Sequence, residues 1–68
     1  MNVTVNGQST TVLDGATVAD LVVAVTGQAT PRGVAVALGA TVLPRTAWPA
    51  TVLTEGDRVE VLTATQGG

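Results

Sequence analysis

The chain has 68 residues, of which 46% are hydrophobic, and its formal net charge at pH 7 is −2. This length corresponds to one small domain with a limited core, and the composition is that of a globular chain rather than a disordered one. Its three arginines and the absence of lysine leave little positive charge to attract nucleic acids or anionic membranes, so we expect neither as a partner.

The residue types that are missing restrict the chemistry further. The sequence contains no Cys, His, Lys or Tyr. Zinc sites and thiol or Ser–His nucleophiles need Cys or His, and Schiff bases need Lys. Acid–base catalysis by carboxylates needs burial or close neighbours, which the solvated turn of Glu55 and Asp57 does not offer. We therefore predict no metal site, no cofactor, no catalytic residue and no side-chain persulfide. The absence of Cys fits a reduced compartment. The sequence begins with a strand pattern and contains no run of transmembrane length, so we expect no signal peptide and a cytoplasmic protein.

The N-terminal residues alternate between polar and apolar side chains, which predicts a half-buried strand with Val3 and Val5 facing the core. Asn6-Gly7 is typical of a type I′ hairpin turn, because that turn needs positive φ at both central residues. The returning strand is predicted over residues 10–13, with Val12 as its core residue.

A helix is predicted to begin at Thr17, where Thr17 and Asp20 fit a capping box. The apolar residues that follow have the spacing i, i+3, i+4 and i+7 and form one stripe: Val18, Leu21, Val22 and Val25. Because β-branched residues have low helix propensity, a valine-rich strand is the competing interpretation, but the capping box and the stripe favour a helix. Gly27 suits the left-handed position after the helix.

The second half of the chain predicts three more strands. Residues 34–38 form an almost continuous apolar run, typical of a strand covered on much of both faces. A short strand follows at 41–43, and then a loop or single 3-10 turn around Trp48. Residues 51–53 are predicted to touch the core again. Beyond a turn at Glu55-Gly56-Asp57 the last strand runs over residues 58–63, with its valines inward.

This order of elements predicts an α+β fold of the β-grasp (ubiquitin-like) type. A single helix must cross one face of a mixed sheet of four to five strands. The first and last strands then pair in parallel at the centre. We expect residues 1–64 to form this domain and residues 65–68 to form a flexible tail.

The tail ends in Gly67-Gly68. Glycine has no Cβ, so an extended diglycine fits a narrow channel. At roughly 3.4 Å per residue, residues 65–68 would span about 14 Å, which suits delivery of a terminal carboxylate into another protein's active site. The alternative is a frayed terminus.

Four blocks of the sequence resemble the sulfur carrier proteins of thiamine biosynthesis, the ubiquitin-like ThiS family. The blocks are Val34-Ala35-Val36, Val42-Leu43-Pro44-Arg45 followed by Trp48, Gly56-Asp57-Arg58-Val59-Glu60-Val61, and Gln66-Gly67-Gly68. Two departures are Ala37-Leu38, where members often have a polar residue, and Thr65, where many have Val.

The resemblance implies a carrier protein that is not itself an enzyme. It implies that an ATP-dependent adenylating enzyme activates the Gly68 carboxylate, and that a persulfide sulfur donor supplies the sulfur of a thiocarboxylate. Thiazole synthase then takes that sulfur, and Gly67 and Gln66 give the tail access to each partner. The chemistry is reasonable on its own terms, because a carboxylate accepts a nucleophile only after it gains a leaving group such as AMP.

Five residues are further candidates for contact with a partner: Arg45, Trp48, Arg58, Glu60 and Leu62. Trp48, the single Trp of the chain, is more often a lid on the core than a docking residue. Arg45 either pairs with a carboxylate of this chain or contacts a partner. Arg58 and Glu60 lie on an outward strand face, and Leu62 and Val23 are candidates for an exposed apolar patch of the kind that marks partner surfaces.

Three other functions are compatible with the residues alone. The first is a sulfur carrier for molybdopterin or another sulfur-containing product. The second is a ubiquitin-like modifier conjugated to lysines of other proteins, although without Lys the chain cannot form chains on itself. The third is an interaction module with no modification of its terminus.

Overall fold

The computed structural model describes residues 1–29 and 31–63, in which a five-stranded mixed sheet is covered on one face by one helix. The strands are β1 (Asn2–Val5), β2 (Gln8–Thr11), β3 (Val34–Leu38), β4 (Thr41–Leu43) and β5 (Arg58–Thr63). Helix α1 is Val18–Thr26, and a 3-10 helix spans Arg45–Ala50. The order across the sheet is β2-β1-β5-β3-β4. This arrangement confirms the predicted β-grasp fold.

β1 and β5 pair in parallel at the centre of the sheet, as predicted, with Thr4 opposite Arg58 and Val5 opposite Val59. All the other neighbouring strands are antiparallel. Because parallel strands point the same way, the C-terminal end of β5 lies at the end of the sheet where the β1–β2 turn is found. Thr63, the last described residue, therefore lies at that end.

The turn between β1 and β2 has the predicted conformation. Asn6 has a φ of 50° and Gly7 a φ of 84°, as a type I′ turn requires. A two-residue turn places Gln8 directly opposite Val5. β2 therefore begins at Gln8, and the predicted start of this strand at residue 10 is wrong.

The predicted end of β2 is also wrong, because the strand stops at Thr11. Val12 still exchanges two backbone hydrogen bonds with Met1, both of 2.9 Å, and packs against the edge of the core. Leu13 is 84% exposed. Leu13 lies outside the strand because the chain turns there towards the helix, and the Leu13 carbonyl accepts from the backbone N–H of Ala16.

Helix α1 begins and ends as predicted. The side chain of Thr17 accepts from the Asp20 amide at 3.1 Å, and the Asp20 carboxylate accepts from the Thr17 amide at 2.9 Å. Gly27 ends the helix with a φ of 75°. Within residues 1–29 and 31–63 no helix is long and apolar enough to cross a bilayer.

One member of the predicted helix stripe is not in the core. Val18, Leu21 and Val22 are buried, but Val25 is 46% exposed. Val25 lies in the last turn of α1, and the buried residues of the helix all belong to its first two turns. The stripe therefore continues for one turn beyond the core that it covers.

The core lies between α1 and the inner face of the sheet. Its buried side chains are Val3, Val5, Val18, Leu21, Val22, Val36, Trp48, Leu53, Val59 and Val61. Of residues 51–53, Leu53 provides the predicted core contact, and Val52 is exposed.

The prediction that β3 is covered on both faces is wrong. Only Val36 of this strand is buried, Ala35 is exposed and Ala37 is half-buried. The single helix covers one face of the sheet and leaves the other face open. The small alanines gave the outward positions of β3 the same apolar character as the inward ones.

The capping box allows a direct test of what holds α1. Thr17→Ala should lower the free energy of unfolding by about 1 kcal/mol, because the Asp20 amide loses its acceptor. Thr17→Ser keeps that acceptor and should recover most of the loss. Urea unfolding followed by circular dichroism measures both variants, and equal stability of Thr17→Ala and the wild type would contradict the role of the cap.

Candidate functional site

Along β5, side chains that point into the core alternate with side chains that point to the opposite, open face of the sheet. Val59 and Val61 are buried, Arg58 and Leu62 are exposed, and Glu60 is half-buried. Three of the predicted partner-contact residues therefore share the open face of the sheet. They lie on the strand that leads directly to the C-terminal residues.

Leu62 belongs to an apolar patch that continues across β3 to β4. It lies opposite Ala35, and Ala37 lies opposite Val42. Leu62 is 59% exposed and Val42 is 71% exposed. We call Ala35, Ala37, Val42 and Leu62 the outer apolar patch. The sequence analysis did not select Val42, although alternation with the inward Leu43 would have shown that it points outward.

Val23 does not belong to this patch. It is 42% exposed, but it lies on α1, which covers the opposite face of the sheet. The prediction that named Val23 together with Leu62 as candidates for one apolar patch is therefore wrong. Spacing along the sequence could not show on which side of the domain each residue lies.

Arg58 and Glu60 add charge beside the patch. Glu60 lies opposite Ala37, next to the patch, and Arg58 lies two residues further from the C-terminus. The ion pair found among residues 1–29 and 31–63 joins the N-terminal amine to Asp14 at 3.5 Å and involves neither of them. Both charges are therefore available at the open face.

Trp48 is only 3% exposed, which favours the role of a lid on the core. Its ring N–H donates to the Leu43 carbonyl at 3.3 Å. The Arg45 guanidinium lies 5.0 Å from the centre of the indole ring and donates to the Pro31 carbonyl. Arg45 thus links the segment before β3 to the 3-10 helix, and within the described chain it pairs with no carboxylate.

Two other carboxylates of the loops accept hydrogen bonds from groups of this chain. Asp57 accepts from the Thr54 amide at 2.8 Å and from the Thr54 hydroxyl at 2.9 Å. Glu55 accepts from the Asn2 amide at 3.0 Å. In the described ranges no cluster of three or more potential ligands could hold a metal ion.

The predicted reactive residues, Gln66, Gly67 and Gly68, lie outside the described residues. The structure does show how the strand before them is held. The Asn6 side chain donates to the Val61 carbonyl at 3.1 Å and accepts from the Val61 amide at 2.8 Å. Asn6 therefore pairs with β5 in the way that one more residue of β1 would, close to the end of β5. Sequence reasoning missed this contact because the turn alone explained Asn6.

Comparison with known proteins assigns the chain to a family over almost its whole length. The family model of the ThiS family matches residues 3–68. The chain belongs to the ThiS family. The match covers the β-grasp domain and continues through the terminal diglycine, so the resemblance found in the four sequence blocks is confirmed.

Two solved structures are similar to this ThiS-family chain. The crystal structure of a thiamine biosynthesis protein (ThiS) from Geobacter metallireducens is 40% identical, with 100% of both chains covered and a TM-score of 0.80. The solution structure of a thiamine biosynthesis protein from the same organism is 38% identical, covering 100% of this chain and 88% of that one, with a TM-score of 0.80. Curated proteins gave no match.

The stacking of Arg45 on Trp48 can be tested by substitution. Arg45→Ala should lower the free energy of unfolding by about 1 kcal/mol, because it removes a cation–π contact and a hydrogen bond to a carbonyl. Arg45→Lys keeps the charge but not the planar guanidinium, so we expect an intermediate stability. Thermal unfolding of the wild type and the two variants measures this order of stability. If Arg45→Ala is as stable as the wild type, the two contacts contribute nothing to stability.

Proposed function

We propose that this protein carries sulfur in thiamine biosynthesis and that the carboxylate of Gly68 is its reacting group. The observation that carries the proposal is the ThiS-family match, which extends over residues 3–68 and so includes the terminal diglycine. The similar structures from Geobacter metallireducens are named as thiamine biosynthesis proteins. The residue types available on the chain favour a carrier over an enzyme, since it has no Cys, His or Lys.

The proposed chemistry takes place in partner enzymes. An ATP-dependent adenylating enzyme joins the Gly68 carboxylate to AMP and releases pyrophosphate. A persulfide sulfur then attacks the acyl carbon, so that a C–S bond forms while the C–O bond to AMP breaks. Reductive cleavage of the S–S bond by a thiol leaves a thiocarboxylate. Thiazole synthase takes this sulfur for the thiazole ring.

The body of the protein supports this role by directing the chain. Residues 1–64 form the domain in this proposal, and residues 65–68 form the tail, in which Gln66 and Gly67 give access to a narrow channel. β5 ends at Thr63. It is held by β1 on one side and β3 on the other, so the tail starts from a rigid strand. In this proposal the protein works in the cytoplasm with several enzymes in turn.

We assign the docking of these enzymes to the outer apolar patch and the adjacent Arg58 and Glu60. Leu62 precedes Gly68 by six residues, which corresponds to roughly 20 Å of extended chain. An enzyme that binds the patch would therefore hold the carboxylate within reach of a nearby active site. Exposed apolar residues grouped on one face of a small protein often mark such surfaces.

Two alternatives make different products. A protein modifier would form lysine-linked adducts with other proteins, and a carrier for molybdopterin would support that pathway instead. The thiamine pathway is favoured by the ThiS-family match and by the named functions of the similar structures.

Gly67→Ala tests the proposed chemistry. The protein is incubated with ATP, the adenylating enzyme of its host and a persulfide donor, and intact mass is followed with time. Wild type should gain the mass of one sulfur in exchange for one oxygen, located at Gly68, whereas Gly67→Ala should react at least tenfold more slowly because its Cβ does not fit a narrow channel.

A protein lacking Gly68 is the control and should not react at all. If the wild type forms only lysine-linked adducts, the modifier replaces the carrier. If Gly67→Ala reacts at the wild-type rate, the channel argument is wrong.

The outer apolar patch is tested by Leu62→Ser, with Val23→Ser as a matched control. Both residues are exposed, 59% and 42% respectively, but they lie on opposite faces of the domain. Leu62→Ser should raise the KM for the adenylating enzyme about tenfold, as expected when one apolar contact that is buried in the complex is lost. Val23→Ser should not change this KM. Equal effects of the two variants would remove the assignment of docking to the open face.

A further inference from the structure

The edge of the sheet at β2 is less protected than the edge at β4. β4 has three residues and is followed directly by Pro44. β2 has four residues, Gln8–Thr11, and contains neither a charge nor a proline. Soluble proteins usually protect exposed edges with such residues, since an open edge can pair with another strand. The uncharged β2 edge is therefore suited to accept a strand.

The backbone groups that face outward from β2 follow from its pairing with β1. Val12 and Met1 exchange two hydrogen bonds, so they form a hydrogen-bonded pair of the antiparallel ladder. Such pairs alternate with pairs that are not bonded. The register Val3–Thr10 then places Val3 with Thr10 in the next bonded pair. The N–H and C=O groups of Ser9 and Thr11 accordingly point away from β1.

A groove lies beside this edge. It has a volume of about 570 Å³ and is formed by the end of β2, the following loop and one side of α1. Its apolar lining includes Val12, Leu13, Leu21 and Ala24, and Leu13 is 84% exposed. Apolar side chains of a strand added to β2 would find contacts here.

The charged side chains that line the groove are both acidic, and the N-terminal amine lies 3.5 Å from one of them, Asp14. Asp14 and Asp20 line it, and no Arg of the described chain does so. Both carboxylates belong to local contacts, with the N-terminal amine for Asp14 and with the capped amide for Asp20. Their exposed oxygens still favour a cation on an incoming segment.

We propose that β2 and this groove bind an extended segment of a partner protein, with alternating apolar side chains and a lysine or arginine. The outward groups of Ser9 and Thr11 pair with its backbone, the groove takes its apolar side chains, and Asp14 and Asp20 attract its cation. This is strand addition, in which the main chain provides affinity and the side-chain pockets provide specificity. The surface is separate from the outer apolar patch, so both can be occupied together.

Two other occupants fit less well. In a second copy of the chain, β2 offers only polar side chains, Gln8–Thr11, which would leave the apolar groove unfilled. The C-terminal residues of the same chain follow Thr63, which lies at the opposite end of the sheet from Thr11. Their terminal carboxylate would also be repelled by the two aspartates.

The test is an NMR titration of the full-length ¹⁵N-labelled chain with a capped peptide of sequence Lys-Val-Thr-Val-Thr-Val-Lys. Saturable shifts are expected in the amides of residues 9–16 and 20–24. A peptide with Glu in place of both lysines, and one with proline at the central valine, should each bind at least tenfold more weakly. Equal binding of the Glu peptide, shifts confined to the open face of the sheet, or no saturable shift at all would overturn the proposal.

Variants of the chain locate the site. Thr11→Pro removes an outward N–H and no backbone hydrogen bond to β1, although it also removes the hydroxyl that donates to Asn2 Oδ1 at 3.0 Å. It should therefore fold and weaken binding at least tenfold. Ala24→Arg puts a cation on the exposed groove side of α1 and should have the same effect, which keeps the test valid if Thr11→Pro does not fold. Val42→Arg, on the outer apolar patch, is the matched control and should bind as the wild type does. If the free chain forms a concentration-dependent dimer that Thr11→Pro abolishes, a second copy is the occupant and the proposal is wrong.

Discussion

The parallel pairing of β1 with β5 is the constraint on which the rest of the structure depends. It joins residues near the two ends of the chain, with Thr4 opposite Arg58. Parallel neighbours cannot be joined by a tight turn, so the chain between them must leave the sheet and return. α1 makes that crossing, and it covers the inner face because a half-apolar sheet must bury one side. The same pairing determines the end of the sheet at which β5 ends with Thr63.

The core between α1 and the inner face of the sheet is small and consists largely of valine. Valine has low helix propensity, so α1 is held by packing and by its caps rather than by its own sequence. Polar side chains near the surface serve the backbone in the same way: Asn6 pairs with β5, and Asp57 caps the turn before it. These contacts stabilise a domain with little apolar area to bury.

Much of this fold could be predicted from local signals, because those signals act over a few residues. Asn6-Gly7 indicated its turn through the need for positive φ, and Thr17 indicated the helix start through its cap. Features set by distant parts of the chain were not predictable in the same way. Val25 continues the helix stripe, yet the core beneath it ends one turn earlier. The contact between Asn6 and Val61 spans 55 residues of sequence, and the grouping of Leu62 with Val42 depends on strand order.

The proposed carrier needs moderate affinity from its body rather than high affinity. A tail of a few residues, mostly without large side chains, contributes little binding energy of its own, so recognition must come from the domain. Each enzyme must also release the carrier before the next one binds, and tight complexes dissociate slowly. A patch with two large exposed residues, Leu62 and Val42, bordered by the exposed Arg58 and the half-buried Glu60, has the limited area that brief complexes use. Because the β2 groove lies on another side of the domain from the patch, and Thr63 lies at the opposite end of the sheet from Thr11, a partner bound there would leave the patch and the end of β5 accessible. It could hold the carrier near its enzymes without competing with them.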